Sequence, residues 1–247
     1  MKTLTAICLG VLSFAASAFA QCSNSTLMGA YAYSVDVVTT VDGKTVTNSD
    51  VGRLVFDGAG RYTVRVASTV NGETTIGEGA GEYLLGSDCT MTGKGDGVEF
   101  DGVVVNGGSD FAIIVREPGL SRSGSGTRIE GQACSAEAIA GAFGYAGQGS
   151  TSADGRVFSL SEVGVLTFSG DTVAGVYSAS SGGLVERREF SGTFAVNADC
   201  TGTAEYKVGE TAYVMNFVVA SQTNTLYYSE SGSGSTITGV AGRISPK

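Results

Sequence analysis

A stretch that occurs twice constrains this chain more than anything else in it. Gly81 to Thr90 reads GEYLLGSDCT and returns at Gly192 to Thr201 as GTFAVNADCT, with an aromatic residue two places after the glycine and Asp-Cys-Thr at its end. Upstream, Cys22-Ser23 and Gly29-Ala30-Tyr31-Ala32-Tyr33 recur as Cys134-Ser135 and Gly141-Ala142-Phe143-Gly144-Tyr145. Val51 to Gly58 recurs at Val163 to Gly170, again displaced by 112 residues. The chain is therefore a duplicated unit of about 110 residues, and each copy tests any reading of the other.

The duplication begins only after a leader. Lys2 is followed by an uncharged apolar run ending in Ala18-Phe19-Ala20, so residues 1–20 read as a signal peptide and the protein as secreted, extracellular or periplasmic. The two units are then 22–131 and 134–247, joined through Gly131-Gln132-Ala133, a link so short that they must touch or nearly so. The formal net charge is −9, one unit more negative without Lys2. An acidic exported chain is a poor partner for nucleic acid or anionic lipid, and nothing after the leader is apolar for long enough to span a membrane. No signal sets an oligomeric state.

Cys8 lies in the leader, which leaves Cys22, Cys89, Cys134 and Cys200. Four thiols allow three pairings, but the repeat puts one cysteine at the start of each copy and one in its Asp-Cys-Thr turn. It predicts Cys22 with Cys89 and Cys134 with Cys200, each bridge stabilising its unit by about 2–4 kcal/mol. Gln21 before Cys22 is a poor lipidation signal, and lipidation would strand Cys89.

With 38 glycines, two prolines and many Val, Ser and Thr, the chain reads as all-β. Only the opening of each copy has helical character, a single turn in Cys22 to Gly29 and in Cys134 to Gly141, the latter capped by Ser135. Alternation from Ala30 to Val38 then sets Tyr31, Tyr33, Val35 and Val37 on one face and Ala30, Ala32, Ser34 and Asp36 on the other. Leu54 and Phe56, then Tyr62, Val64 and Val66, face the same interior. Turn signals stand at Asp42-Gly43, Asp57 to Gly60, Asn71-Gly72, Asn106-Gly107, Asp154-Gly155 and Ser181 to Gly183, and the final strands are read at Ser125 to Ile129 and Thr236 to Ile244. About eight antiparallel strands in a meander avoid unpaired edges by closing into an up-and-down barrel, so two tandem β-barrels are expected, with a sandwich as the alternative.

At this level the chain resembles the calycin superfamily, barrels of the lipocalin and avidin type, in tandem. Leu27-Met28-Gly29-Ala30-Tyr31 and Ile139-Ala140-Gly141-Ala142-Phe143 stand where that family has a short turn running into Gly-x-Trp. Arg128-Ile129 and Arg243-Ile244 stand where its last-strand arginine would be, and the resemblance implies that these arginines close the barrel ends. No Trp occurs anywhere, so the likeness covers the plan of each unit and not its sequence. The allene oxide cyclase barrel fits almost as well. Thr193 to Thr203 is also similar to exported bacterial proteins, a similarity that implies no activity.

The chain has no histidine, which removes Ser-His-Asp and Cys-His nucleophiles, imidazole metal sites and the usual neutral-pH proton shuttle. The paired carboxylates Glu99 and Asp101, with Glu73, Glu78 and Glu82 nearby, match the residue types of glycoside hydrolysis, but alternation puts them on the solvent face and the second copy has no counterpart. Asp96 to Asp101 lacks a calcium-loop pattern, Glu186 to Glu189 reads as an exposed charged face, and glycine-rich Gly119 to Gly126 reads as a loop. No metal site, cofactor or catalytic residue is expected.

Aromatic residues recur instead: Tyr31 with Phe143, Tyr33 with Tyr145, Phe56 with Phe168, Tyr83 with Phe194 and Phe111 with Phe217. They fill the barrels, or Tyr33, Tyr62, Tyr145 and Tyr177 line a cavity for a small apolar ligand. The expectation is a secreted, non-enzymatic binding or interaction module of two disulfide-stapled barrels. An extracellular structural or envelope protein and a histidine-free barrel enzyme of the cyclase or isomerase type are the alternatives, and a carboxylate or arginine buried inside a barrel would favour the last.

Overall fold

The computed structural model describes residues 21–41, 44–117, 120–131, 133–153, 156–220 and 224–244. The leader, Gln132, the turns at Asp42-Gly43 and Asp154-Gly155, and the side chain of Val37 lie outside the described residues. A 3₁₀ turn (Asn24–Leu27) leads into β1 (Gly29–Val41), β2 (Lys44–Phe56), β3 (Arg61–Val70), β4 (Glu73–Leu85), β5 (Thr90–Gly95), β6 (Val98–Val105), β7 (Asp110–Glu117) and β8 (Leu120–Arg128). β8 returns to pair with β1, Tyr31 opposite Arg128, and the sheet closes. A one-turn α-helix (Ala136–Ile139) opens the second barrel, with Ser135 Oγ accepting from the Ala138 amide at 3.2 Å as its N-cap. Its strands are β9 (Gly141–Ala153), β10 (Arg156–Ser169), β11 (Thr172–Ser181), β12 (Leu184–Val196), β13 (Thr201–Val208), β14 (Thr211–Ala220), β15 (Thr225–Gly232) and β16 (Ser235–Arg243). β16 pairs with β9 and closes it. Two closed eight-stranded antiparallel barrels thus stand in tandem, each leaving no strand edge open.

Turn chemistry sets the registers. Asn71 and Gly72 both take positive φ, 51° and 87°, the requirement of the tight hairpin turn that joins β3 to β4. Inside, Tyr31, Phe56 and Phe111 in the first barrel and Phe143, Phe168 and Phe217 in the second are fully buried and packed ring edge to ring face or tilted. One end of each barrel is plugged. The bridges Cys22–Cys89 and Cys134–Cys200 tie each opening turn to its own barrel. Arg128 lies 4.9 Å from the Tyr31 ring centre and donates to the carbonyls of Thr26, Met28 and Gly108. Arg243 lies 4.6 Å from the Phe143 ring and donates to the carbonyls of Ala138 and Ala140.

Two readings are corrected. Leu120 to Gly126 is strand and not loop: β8 starts at Leu120, five residues before the strand expected at Ser125, and Gly119 lies outside the described residues. Gly126 is cleared for a ring, since a Cβ there would collide with Phe111, and a Cβ on Gly124 would collide with the Ser34 carbonyl and Val35. Phe111 and Phe217 are not equivalent either. Phe111 is on the seventh strand of its barrel and Phe217 on the sixth of the other, yet each packs against the same partner, Phe56 or Phe168. The barrel needs a ring at that height and accepts it from either of two adjacent strands.

The barrels meet through outer faces. Ala32, Val51 and Ala67 of β1, β2 and β3 form a buried apolar cluster with Val218, Ala220 and Tyr227 of β14 and β15. Small side chains let the sheets approach closely, which is why Ala32 and Ser34 are buried although they face away from their own barrel. Hydroxyls complete the seam: Thr127 with Tyr227 at 2.9 Å, Ser49 with Ser229 at 2.5 Å, and Thr74 with Ser231 at 3.0 Å.

Candidate functional site

Each barrel has a cavity at the end opposite its plug. In the first it measures about 250 Å³ and reaches down to Phe56 and Phe111, the floor of the barrel. Its wall is mainly apolar, with Leu54, Val64, Val66 and Val115 from β2, β3 and β7. It is open because β4 and β5 offer glycine at Gly77, Gly79 and Gly95. At the repeat displacement of 111 residues the second barrel has Arg188, Phe190 and Tyr206 there. Tyr33 and Tyr62 line the first cavity, and burial pushes both phenols up, so they present neutral hydroxyls.

Besides the carboxylates of Glu78 and Asp96, one ion pair sits in this apolar wall. Asp50 of β2 and Arg122 of β8 form an ion pair, both largely buried, and both line the cavity. Burial of such a pair is costly unless geometry and further hydrogen bonds offset the lost hydration. Asp50 Oδ1 is buried with no hydrogen-bond partner among the described residues.

The second cavity measures about 280 Å³ and is shallower, because Tyr145, Phe190 and Tyr206 fill the barrel beneath it. Tyr177 lines it, and burial raises that phenol to about 12. Tyr145 does not line it, being packed edge to face against Tyr228 at 5.9 Å. The four tyrosines of the sequence reading therefore divide two and two between the barrels and form no common site.

The sequence reading missed two further groups, buried carboxylates of the kind that favours the barrel-enzyme alternative. Glu162 of β10 and Glu230 of β15 line the second cavity at 5 % and 7 % exposure. Tyr228 donates to Glu162 Oε1 at 3.2 Å and Tyr206 donates to Glu230 Oε2. Burial pushes the Glu162 carboxyl up to about 7, and burial with repulsion from Glu162 pushes Glu230 well above the usual carboxylate range. The signal was available: alternation back from Phe168 and Leu166 passes through Gly164 to Glu162, and forward from Leu226 and Tyr228 to Glu230. The carboxylates that the sequence does advertise are solvated. Glu99 and Asp101 both bind the exposed Arg116, at 3.6 and 2.9 Å.

No family model and no curated protein matches this sequence. Among solved structures, the chain is similar to kievitone hydratase from Nectria haematococca, with 7% identity, 90% of each chain covered and a TM-score of 0.28. It is also similar to the isotype 1 transferrin binding protein B of serogroup B Neisseria meningitidis, with 8% identity, 87% of this chain and 76% of that one covered and a TM-score of 0.35. A Nostoc punctiforme protein of unknown function, from the DUF3598 family, shares 12% identity over 89% of this chain and 97% of its own, with a TM-score of 0.26. The tandem-barrel fold stands on the strand pairing described above.

Proposed function

We propose that this chain is an exported binding module whose first barrel holds a small apolar molecule. One observation carries the reading: the first barrel keeps a cavity of about 250 Å³ down to its floor, walled mainly by aliphatic and aromatic side chains, with two neutral phenols, the Asp50–Arg122 ion pair and the carboxylates of Glu78 and Asp96 as its polar features. A concave apolar site with few, fixed polar groups is the usual form of a small-molecule pocket. Export belongs to the proposal, since two intramolecular bridges suit an oxidising compartment. Within the cavity Tyr33 and Tyr62 would orient the ligand.

The test is thermal shift and tyrosine fluorescence of the leaderless chain with decanol, decanoate and naphthalene, and with glucose as a polar control. Saturable stabilisation by an apolar compound and none by glucose is expected, since a ligand at about 100 times its Kd stabilises by about 2.7 kcal/mol. Val66→Tyr, which installs the side chain found at the matching position of the second barrel, should fill the cavity and weaken binding by about tenfold or more. A flat response across the apolar compounds would remove the reading.

A further inference from the structure

The second barrel departs from the first in the charge it places inside. Strand pairing aligns the two interiors: Val115 faces Arg122 across β7 and β8, and Glu230 faces Ile237 across β15 and β16. Counted back from the plug arginines Arg128 and Arg243, Ile237 occupies the position of Arg122 and Glu230 that of Val115. Glu162 occupies the position of Asp50. The first barrel holds one acid and one base at this level; the second has lost the base and gained an acid.

Among the described residues nothing inside the second barrel balances that change. The only basic side chain among them that lines its cavity is Arg188, exposed at the rim, and its guanidinium is turned to Glu186 with Nε donating at 3.0 Å. Each buried carboxyl receives one phenol hydrogen bond, to Glu162 Oε1 and Glu230 Oε2. Glu162 Oε2 and Glu230 Oε1 have no hydrogen-bond partner among the described residues. Two nine-tenths-buried acceptors thus border an open cavity of about 280 Å³. The same cavity is lined by Tyr177 and Tyr213 and by the aliphatic Leu160 and Ile237.

We propose that the second cavity is a binding site for a small organic ammonium ion, whose nitrogen donates to Glu162 and Glu230 and whose alkyl or aryl group lies against Tyr177, Tyr213 and Leu160. An ammonium supplies the positive charge that Arg122 supplies in the first barrel, and its three N–H donors suit two carboxylates at close range. Aromatic walls favour an organic cation, through contact with both its charge and its apolar part. A divalent metal fits less well. Calcium and magnesium take six or more oxygen ligands, and the described residues contain no cluster of three metal-ligating side chains.

Burial raises both carboxyls and repulsion from Glu162 raises Glu230 too, so an empty site holds protons that a bound cation displaces. The other titratable groups around the pair are Tyr145, Tyr177, Tyr206, Tyr213 and Tyr228, all raised by burial, and the Arg188–Glu186 rim pair of β12. None of these phenols titrates below pH 8. Binding should therefore tighten from pH 5 to pH 8.

Calorimetry of the leaderless chain with n-butylammonium, benzylammonium and tetramethylammonium chlorides, alongside sodium and calcium chlorides, tests this. Expected is one saturable site for butyl- or benzylammonium at pH 8, about tenfold or more weaker at pH 5, with proton release seen in buffers of different ionisation enthalpy. Glu162→Gln with Glu230→Gln should lose about tenfold or more in affinity, and Ile237→Arg should abolish binding by installing the missing internal cation. If a variant does not fold, the proton release of the unaltered chain still decides. No saturable heat from any ammonium ion at pH 8, binding unchanged in the double variant, or calcium binding tighter than every ammonium ion overturns the proposal.

Discussion

The two barrels share a plug, a strand order and a ring of buried aromatics, and they differ at the level of their cavities. In the first, Asp50 and Arg122 neutralise each other and glycines at 77, 79 and 95 leave an apolar shaft. In the second, larger side chains fill the shaft and two carboxylates, Glu162 and Glu230, face a shallower cavity. Plug and floor residues hold the barrel closed, so both copies keep them. Inward positions further along each strand vary more freely: one barrel holds an ion pair there and the other two acids, each with one tyrosine hydrogen bond.

The comparison breaks most sharply at Arg122. Arg122→Met leaves Asp50 as a buried carboxylate without its counterion, and the loss of one partner of a buried pair costs about 3–5 kcal/mol. Urea unfolding followed by near-UV circular dichroism should register it. Combining Asp50→Leu with Arg122→Met should recover most of the loss, since two apolar groups need no partner. Full stability in Arg122→Met alone would show that the pair is solvated and that the two interiors do not differ in buried charge.

Acid-base behaviour should also separate the barrels. The folded-state pKa of Glu162 is raised to about 7 and that of Glu230 is raised well above the usual glutamate value. In the unfolded chain both return to about 4.3. Between these limits the folded state binds more protons, so stability is full below about pH 4.3 and falls as pH rises toward 7, by up to about 1.4 kcal/mol per unit for each group. Hydrogen exchange resolved by strand, at pH 4.5, 6 and 8 and corrected for intrinsic rates, should show β10 and β15 losing protection faster than β2 and β7. Glu162→Gln with Glu230→Gln should flatten that trend. Equal pH dependence in the two barrels would mean that the carboxyls are hydrated.

Much of this was legible beforehand. Repetition announced two like units, and turn residues such as Asn71-Gly72 announced antiparallel closure. The bridges followed because each copy repeats its own pair of cysteines. The polar interior escaped because Glu162, Glu230 and Arg122 look like surface residues one at a time, and only alternation carried outward from a known core ring turns them inward. For Arg122 even that failed, because the glycines around it suggest a loop until Phe111 supplies the ring that needs Gly126. The cost of burying a charge depends on its neighbours across the barrel, and composition holds no trace of those.

The seam was the least legible feature, and it permits the finest comparison. Val51 and Val163 are the same residue at the same place in the repeat, both on outer faces, yet Val51 is 1 % exposed and Val163 58 %. The reverse holds one barrel over, where Val218 is 2 % exposed and its counterpart Val103 42 %. Each copy therefore meets the other with a different face, β1 to β3 of the first against β14 to β16 of the second. Alternation fixes which way a side chain points but not what lies beyond it. Val51→Ala should cost roughly 1.5 kcal/mol for two buried carbons, whereas Val163→Ala should stay within about 0.5 kcal/mol. Paired thermal melts of the two variants check this. Equal effects would mean that Val51 is solvated in solution and that the barrels are joined only by their linker.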